Sequence, residues 1–307
     1  SVAIYTFSQI ILIVLGLFYI AWLVSDMTGG VQPVIEHAAQ NGKFNFWPQL
    51  DAIAMVAFIS GLLTMGFGSI PQQDVFQRAN SSKNENVAVW GTVLGGLAYF
   101  LFAAVPLFLA YSANLIDPAM TGQLLAEDSQ KVLPSLVSKH LPLAAQVIFY
   151  GALLAVIMST ASGTLLAPSV TISENVIKDF ITRRKHMSEE KLLKMTRWVV
   201  AGFAVLVTLY ALWALDKETG IHQMVENAYK VTLVVAFVPL VAGLYWRRAT
   251  TQGAYLAILL GLAGWLPLEF LAPDNEIPPQ FVGFLLSLVG MVLGSLTSRP
   301  HHAAKAA

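Results

Sequence analysis

Leu153 to Thr171, LLAVIMSTASGTLLAPSVT, reads as a strongly apolar helix with hydroxyls near its middle, at Ser159, Thr160, Ser162 and Thr164. It sits in a longer apolar run, Leu143 to Ile177. At about 1.5 Å per residue those roughly 35 residues extend about 50 Å, well past the ~30 Å hydrocarbon core of a bilayer. The run must therefore tilt or protrude, and Thr171, Ser173, Glu174 and Asn175 mark its emerging end. Hydroxyls at bilayer depth have no water to bond and need partners. Two accounts fit Ser159 and Thr160. Each hydroxyl can bond back to the carbonyl four residues earlier on its own helix. Alternatively the two, adjacent and about 100° apart around the helix, converge with a backbone carbonyl on a small cation that has shed its hydration shell, since all three are hard oxygen donors.

The whole chain supports a bilayer setting. It is 56% hydrophobic and only 12% charged, against roughly 25% charged in an average soluble domain. There is no cysteine and the net charge is zero, which excludes disulfides and thiolate chemistry and gives no whole-chain attraction to nucleic acid. The six histidines form no HExxH or comparable ligand spacing. Ser1 is not an initiator Met and leads straight into an apolar run, so the chain reads as a piece of a longer one.

About eight spans of about 20 apolar residues can be placed, which makes this an all-α membrane protein. They lie near Tyr5 to Val24, Ala52 to Pro71, Val87 to Leu109, Leu143 to Ile177, Met195 to Leu215, Val225 to Trp246, Tyr255 to Leu271 and Phe281 to Thr297. Short cytoplasmic loops carry the Lys and Arg excess. The even-numbered loops, counted with Arg197 at the head of span 5, and the tail hold 13 such residues, among them Lys178, Arg183, Arg184, Lys185, Arg247, Arg248, Arg299 and Lys305. The odd-numbered loops hold four: Lys43, Lys131, Lys139 and Lys217. Both ends are thus expected on the cytoplasmic side of a cell membrane, in a bacterium the inner one.

Span 2 places Gly66, Gly68 and Pro71 together and follows them with Gln72, Gln73 and Asp74. Proline lacks an N–H and glycine tolerates unwound backbone. The stretch is either a kink at the cytoplasmic exit or a helix broken against a cavity, which is where transporters bind their cargo. In span 3, Gly91, Gly95 and Gly96 form a small-residue packing face. The loop from Ser112 to Pro142 is expected to hold short interfacial helices. In span 6, Glu226 and Lys230 at i and i+4 suggest a surface ion pair, or else the lining of an outer access path. Pro239 predicts a kink and a hinge. Spans 7 and 8, with Gly261, Gly264, Gly283, Gly290 and Gly294, read as packing helices without buried charge.

Three stretches, GFGSIPQQDVFQR (Gly66 to Arg78), VIMSTASGTLLAPSVTIS (Val156 to Ser173) and PLVAGLYWRRATTQGA (Pro239 to Ala254), resemble the sodium:solute symporters, a family that includes transporters of sugars, proline, pantothenate and choline. The resemblance implies two inverted five-helix repeats of the LeuT type, with sodium between the first helix of repeat one and the third of repeat two. Residues 1–25 then look like the last helix of repeat one and residues 50–246 like repeat two, with its broken helix near 66–71. Residues 252–298 look like two appended helices and 299–307 like a cytoplasmic tail. The N-terminal helices that would complete the sodium site are missing. On the present side the implied ligands are the Val156 carbonyl and the Ser159 and Thr160 hydroxyls, and Phe67, Gly68, Ser69, Gln72 and Gln73 are implied at the substrate.

The resemblance also bears on the solute. Proline transporters of the family place aromatics where Leu63 and Phe67 stand, and choline transporters place a Trp where Gln72 stands. Only Phe67 is kept, and loss of the Trp weakens a cation–π case for a quaternary ammonium. Gln72, donor and acceptor, suits a small polar organic solute such as an amino acid, carboxylate or sugar. The expected activity is sodium-coupled symport by alternating access, with Na+ as coupling ion and no chemistry on the solute. The rival is the solute-sensing membrane domain of a bacterial sensor histidine kinase, where a similar helix set occurs.

Overall fold

A computed structural model describes residues 2–48, 51–177, 188–215, 220–272 and 275–298. Lys178, Arg183, Arg184, Lys185, Lys217, Arg299 and Lys305, and with them the tail 299–307, fall outside the described residues. In chain order the helices are α1 (Val2–Met27), α2 (Val31–Gln40), α3 (Ala52–Phe67), α4 (Gln73–Asn80), α5 (Glu85–Phe102), α6 (Ala104–Ile116), α7 (Pro118–Glu127) and α8 (Val132–His140). There follow α9 (Leu143–Thr171), α10 (Glu189–Leu215), α11 (Ile221–Thr232), α12 (Val238–Tyr245), α13 (Thr251–Leu271) and α14 (Pro279–Thr297). No strand occurs among the described residues.

The expected spans are present, with two differences of detail. Among the described residues seven helical stretches are long and apolar enough to cross a bilayer, and the eighth expected span, α3, stops after 16 residues. Span 3 runs further than its apolar run suggests, from Glu85 to Ile116, as α5 and α6 joined at Ala103. Pro106 accounts for the joint: it has no N–H to give the Phe102 carbonyl four residues back.

The chain divides into two compact units. The first is Ser1–Phe46 with Gln77–Trp213. Its core gathers Ile20 and Val24 of α1, Leu109 and Ala113 of α6, Met120 of α7, Leu136 and Val137 of α8, and Ala145 and Phe149 of α9. Close approach of α1 to α9 depends on Gly16, where an added Cβ would come within 2.9 Å of the Ile148 side chain. The connection between α6 and α9 does hold short helices, and polar caps fix it. The Asp117 carboxylate accepts from the Met120 N–H (3.0 Å) and lies 3.2 Å from His140 Nε2. The Thr121 hydroxyl donates to the Ala113 carbonyl (3.0 Å). In α5, an added Cβ on Gly91, Gly95 or Gly96 would meet no atom within 4 Å, so the packing face expected there has no neighbour among the described residues.

The second unit is Trp47–Phe76 with Ala214–Ala307. Here the small-residue expectation holds, because lipid gives helices no hydrophobic drive to associate and close backbone contact must supply it. Gly283 admits the Trp265 side chain and the Gly261 carbonyl, and Gly290 and Gly294 lie on the backbone of α13. Leu233, Phe237, Val238, Ala257, Phe284 and Met291 form the core.

Candidate functional site

In the first unit, α9 runs unbroken through the hydroxyl cluster, with Pro168 inside it and a wider π-helical turn, Ile172–Ile177, beyond it. The hydroxyls divide into two groups. Those of Ser162, Thr164, Ser169 and Thr171 bond back to their own helix, to the carbonyls of Ser159 (2.9 Å), Thr160 (2.9 Å), Leu165 (2.6 Å) and Ala167 (3.1 Å). Those of Ser159 and Thr160 meet no hydrogen-bond partner among the described residues. Ser159 is half-buried, Thr160 is exposed and Val156 is 40% exposed. A helical carbonyl keeps a second lone pair after accepting its N–H, so Val156, Ser159 and Thr160 offer three uncommitted oxygen functions within about one turn. Carbonyls and hydroxyls suit a hard monovalent cation.

In the second unit, the Asp51 carboxylate caps α3 through the Ala54 N–H (3.1 Å). The helix ends where Gly66, Gly68 and Pro71 stand, and a turn over residues 68–71 leads to α4. The partner of this break is α11 with the π-helical turn Leu233–Phe237 that follows it. Phe67 stacks on Phe237 with ring centroids 4.6 Å apart and 10° between planes. Gly68 has room for no side chain, since a Cβ would overlap the carbonyls of Thr64 and Tyr229. Its carbonyl accepts from the Thr232 hydroxyl (2.5 Å), and Gln72 Nε2 donates to that same hydroxyl (3.3 Å).

The structure thus brings Phe67, Gly68 and Gln72 together around α11. Ser69 instead bonds its own chain, donating to the Gly66 carbonyl (2.8 Å), and Gln73 is exposed at the start of α4. Thr232, Tyr229 and Phe237 are additions to the residues read from sequence. Thr232 carried one signal, being the only hydroxyl between Lys230 and Tyr245.

Two charge readings change. Lys230 pairs not with Glu226 but with Glu269 of α13, Nζ to Oε1 at 3.1 Å, with side chains 15% and 26% exposed. Trp265 Nε1 donates to the other oxygen of that carboxylate (3.1 Å). Span 7 therefore carries a largely buried charge. The reason is physical: Glu226 shares a helix with Lys230 and would leave both charges at the surface, whereas Glu269 offers a low-solvent pocket with an indole donor.

The sodium:solute symporter family model matches residues 3–261. A sodium/proline symporter of Haemophilus influenzae is 30% identical over 66% of this chain and 39% of its own length. The sodium/proline symporter of Salmonella typhimurium is 27% identical over 90% of this chain and 54% of its own. The high-affinity choline transporter 1 of Caenorhabditis elegans is 26% identical over 67% and 36%. The chain therefore spans between about a third and just over half of these relatives. A solved Na+-coupled sialic acid symporter, substrate-bound and outward-open, superposes with a TM-score of 0.71 at 16% identity, over 95% of this chain and 61% of that one, which shows a shared LeuT-type fold.

Proposed function

Because the chain belongs to the sodium:solute symporter family, whose characterised relatives are transporters and not enzymes, we propose that it forms part of a secondary transporter coupling sodium entry to uptake of a small polar organic solute. The observation that carries this is the pair of uncommitted hydroxyls at Ser159 and Thr160 on a helix whose neighbouring hydroxyls are bonded back. With the Val156 carbonyl they form one side of a sodium site, and helices N-terminal to this chain supply the other. Residues 1–25 are the last helix of repeat one, 50–246 repeat two and 252–298 appended helices. Phe67, Gly68, Ser69, Gln72 and Gln73 line the solute path. Sodium binding favours the outward-open arrangement, solute joins it, and the repeats rock to release both inside. The membrane potential adds about 2.3 kcal/mol per charge per 100 mV to the ion gradient.

The test uses the complete protein that contains this chain, reconstituted in liposomes. Ser159→Ala and Thr160→Ala are expected to raise the sodium concentration for half-maximal uptake severalfold. A sodium requirement unchanged in both would remove the site.

A further inference from the structure

A threonine hydroxyl has one proton to give and two lone pairs to receive with. The Gly68 carbonyl, 2.5 Å from Thr232 Oγ1, can only accept, so the single proton of Thr232 is spent there. The carbonyls of Tyr229 (3.1 Å) and Ala228 (3.4 Å) are the more distant alternatives on its own helix. Toward Gln72 the hydroxyl can then only receive. That fixes the side-chain amide: its Nε2 faces Thr232 at 3.3 Å, and its Oε1 is turned away and meets no donor among the described residues. An amide otherwise free to present either end is held with its acceptor outward.

We propose that Thr232 is a positioning residue that polarises Gln72, so that the transporter reads its solute through a hydrogen-bond donor, an ammonium N–H or a hydroxyl, placed against Gln72 Oε1. This rests on the reading above that Gln72 lines the solute path, and it narrows the solute class. Solutes lacking any N–H or O–H are excluded, because they would leave a desolvated carbonyl unpaired. Thr232→Val removes both bonds and lets the Gln72 amide turn over, while Thr232→Ser keeps them.

Sodium-stimulated uptake by the complete protein in liposomes tests this with radiolabelled glycine, L-proline, D-glucose and their fully methylated analogues, N,N,N-trimethylglycine, N,N-dimethylproline and permethylated glucose. For the best transported parent solute, Thr232→Val is expected to raise KM about tenfold and erase the preference over its analogue. Maximal rate and sodium half-saturation are expected to stay within about twofold, and Thr232→Ser to restore wild-type selectivity. Uptake of a methylated analogue equal to its parent in the wild type overturns the proposal. So does a Thr232→Val protein with unchanged selectivity, provided that Gln72→Ala shifts KM. If Gln72→Ala leaves KM and selectivity untouched, the placement of Gln72 on the solute path fails and the proposal with it. No sodium-stimulated uptake of any probe overturns both together.

Discussion

Ser159 and Ser162 are the same residue type one turn apart on one helix, yet one hydroxyl bonds back and the other does not. Only the folded chain separates them, since both are serines in an apolar run and back-bonding is available to each. The sequence supplied the pair and its spacing, and the family resemblance supplied the role. Asp117 shows the converse. Its Asp-Pro opening of α7 is a legible cap, but His140, 23 residues on, is visible only after folding. The Met120 N–H, with help from His140 and Lys139, holds this carboxyl below its ordinary value of 3.8, against a smaller opposing effect of burial. A depressed carboxylate stabilises the fold above its unfolded value, and that contribution is lost as pH falls through the folded one. Asn caps helices about as well as Asp, so Asp117→Asn isolates the charge. The melting temperature of the variant is expected to lie below wild type near neutral pH and to converge with it below about pH 4. A constant gap across that range would mean that the charge is irrelevant.

Elements were legible where backbone chemistry dictates them. The end of α3 follows from Gly66, Gly68 and Pro71, but which glycine does what required the neighbours. Gly68→Ala places a Cβ against two carbonyls and is expected to cost about 1–3 kcal/mol. Gly66→Ala meets nothing within 4 Å and, lying inside the helix, is expected to be neutral or stabilising by up to about 1 kcal/mol. Melting in detergent distinguishes the two, and equal effects would deny the close approach of α3 to α11. The π-helical turn at 233–237 was not legible, although Pro239 hinted at it: the missing N–H leaves the Val235 carbonyl without its helical donor. That wider turn delivers Phe237 to Phe67. The Lys230–Glu269 pair joins α11 to α13 across 39 residues of sequence. Local spacing favoured Glu226, because pairs three or four residues apart are the ones a single helix reveals. Lys230→Met leaves the Glu269 charge with only its indole donor and no cation, and is expected to destabilise more than Lys230→Met with Glu269→Leu, in which no buried charge remains. Additive losses in that double-mutant cycle would show the pair to be uncoupled.

For the molecule as a whole, orientation rests on one asymmetry: 13 Lys and Arg in the even-numbered loops, the head of span 5 and the tail against four in odd-numbered loops. Moving the basic loops across a bilayer opposes the bias that sets topology during insertion, so both ends are expected inside. The count depends on α3, which at 16 residues is the shortest expected crossing: with it every basic loop falls on one side, and dropping it would invert every later loop. This chain holds no cysteine, so an introduced thiol is the single one in it. Single cysteines at Ser82, between α4 and α5, and at Arg248, between α12 and α13, are expected to resist a membrane-impermeant maleimide on intact cells and to react after permeabilisation. Those at Gln130, before α8, and at Asn275, between α13 and α14, are expected to react on intact cells. Labelling at Gln130 and Arg248 alike on intact cells would remove a crossing between them. Reversal of all four would keep the crossings and turn the molecule over, leaving the C-terminal end of α9 to emerge on the outer face.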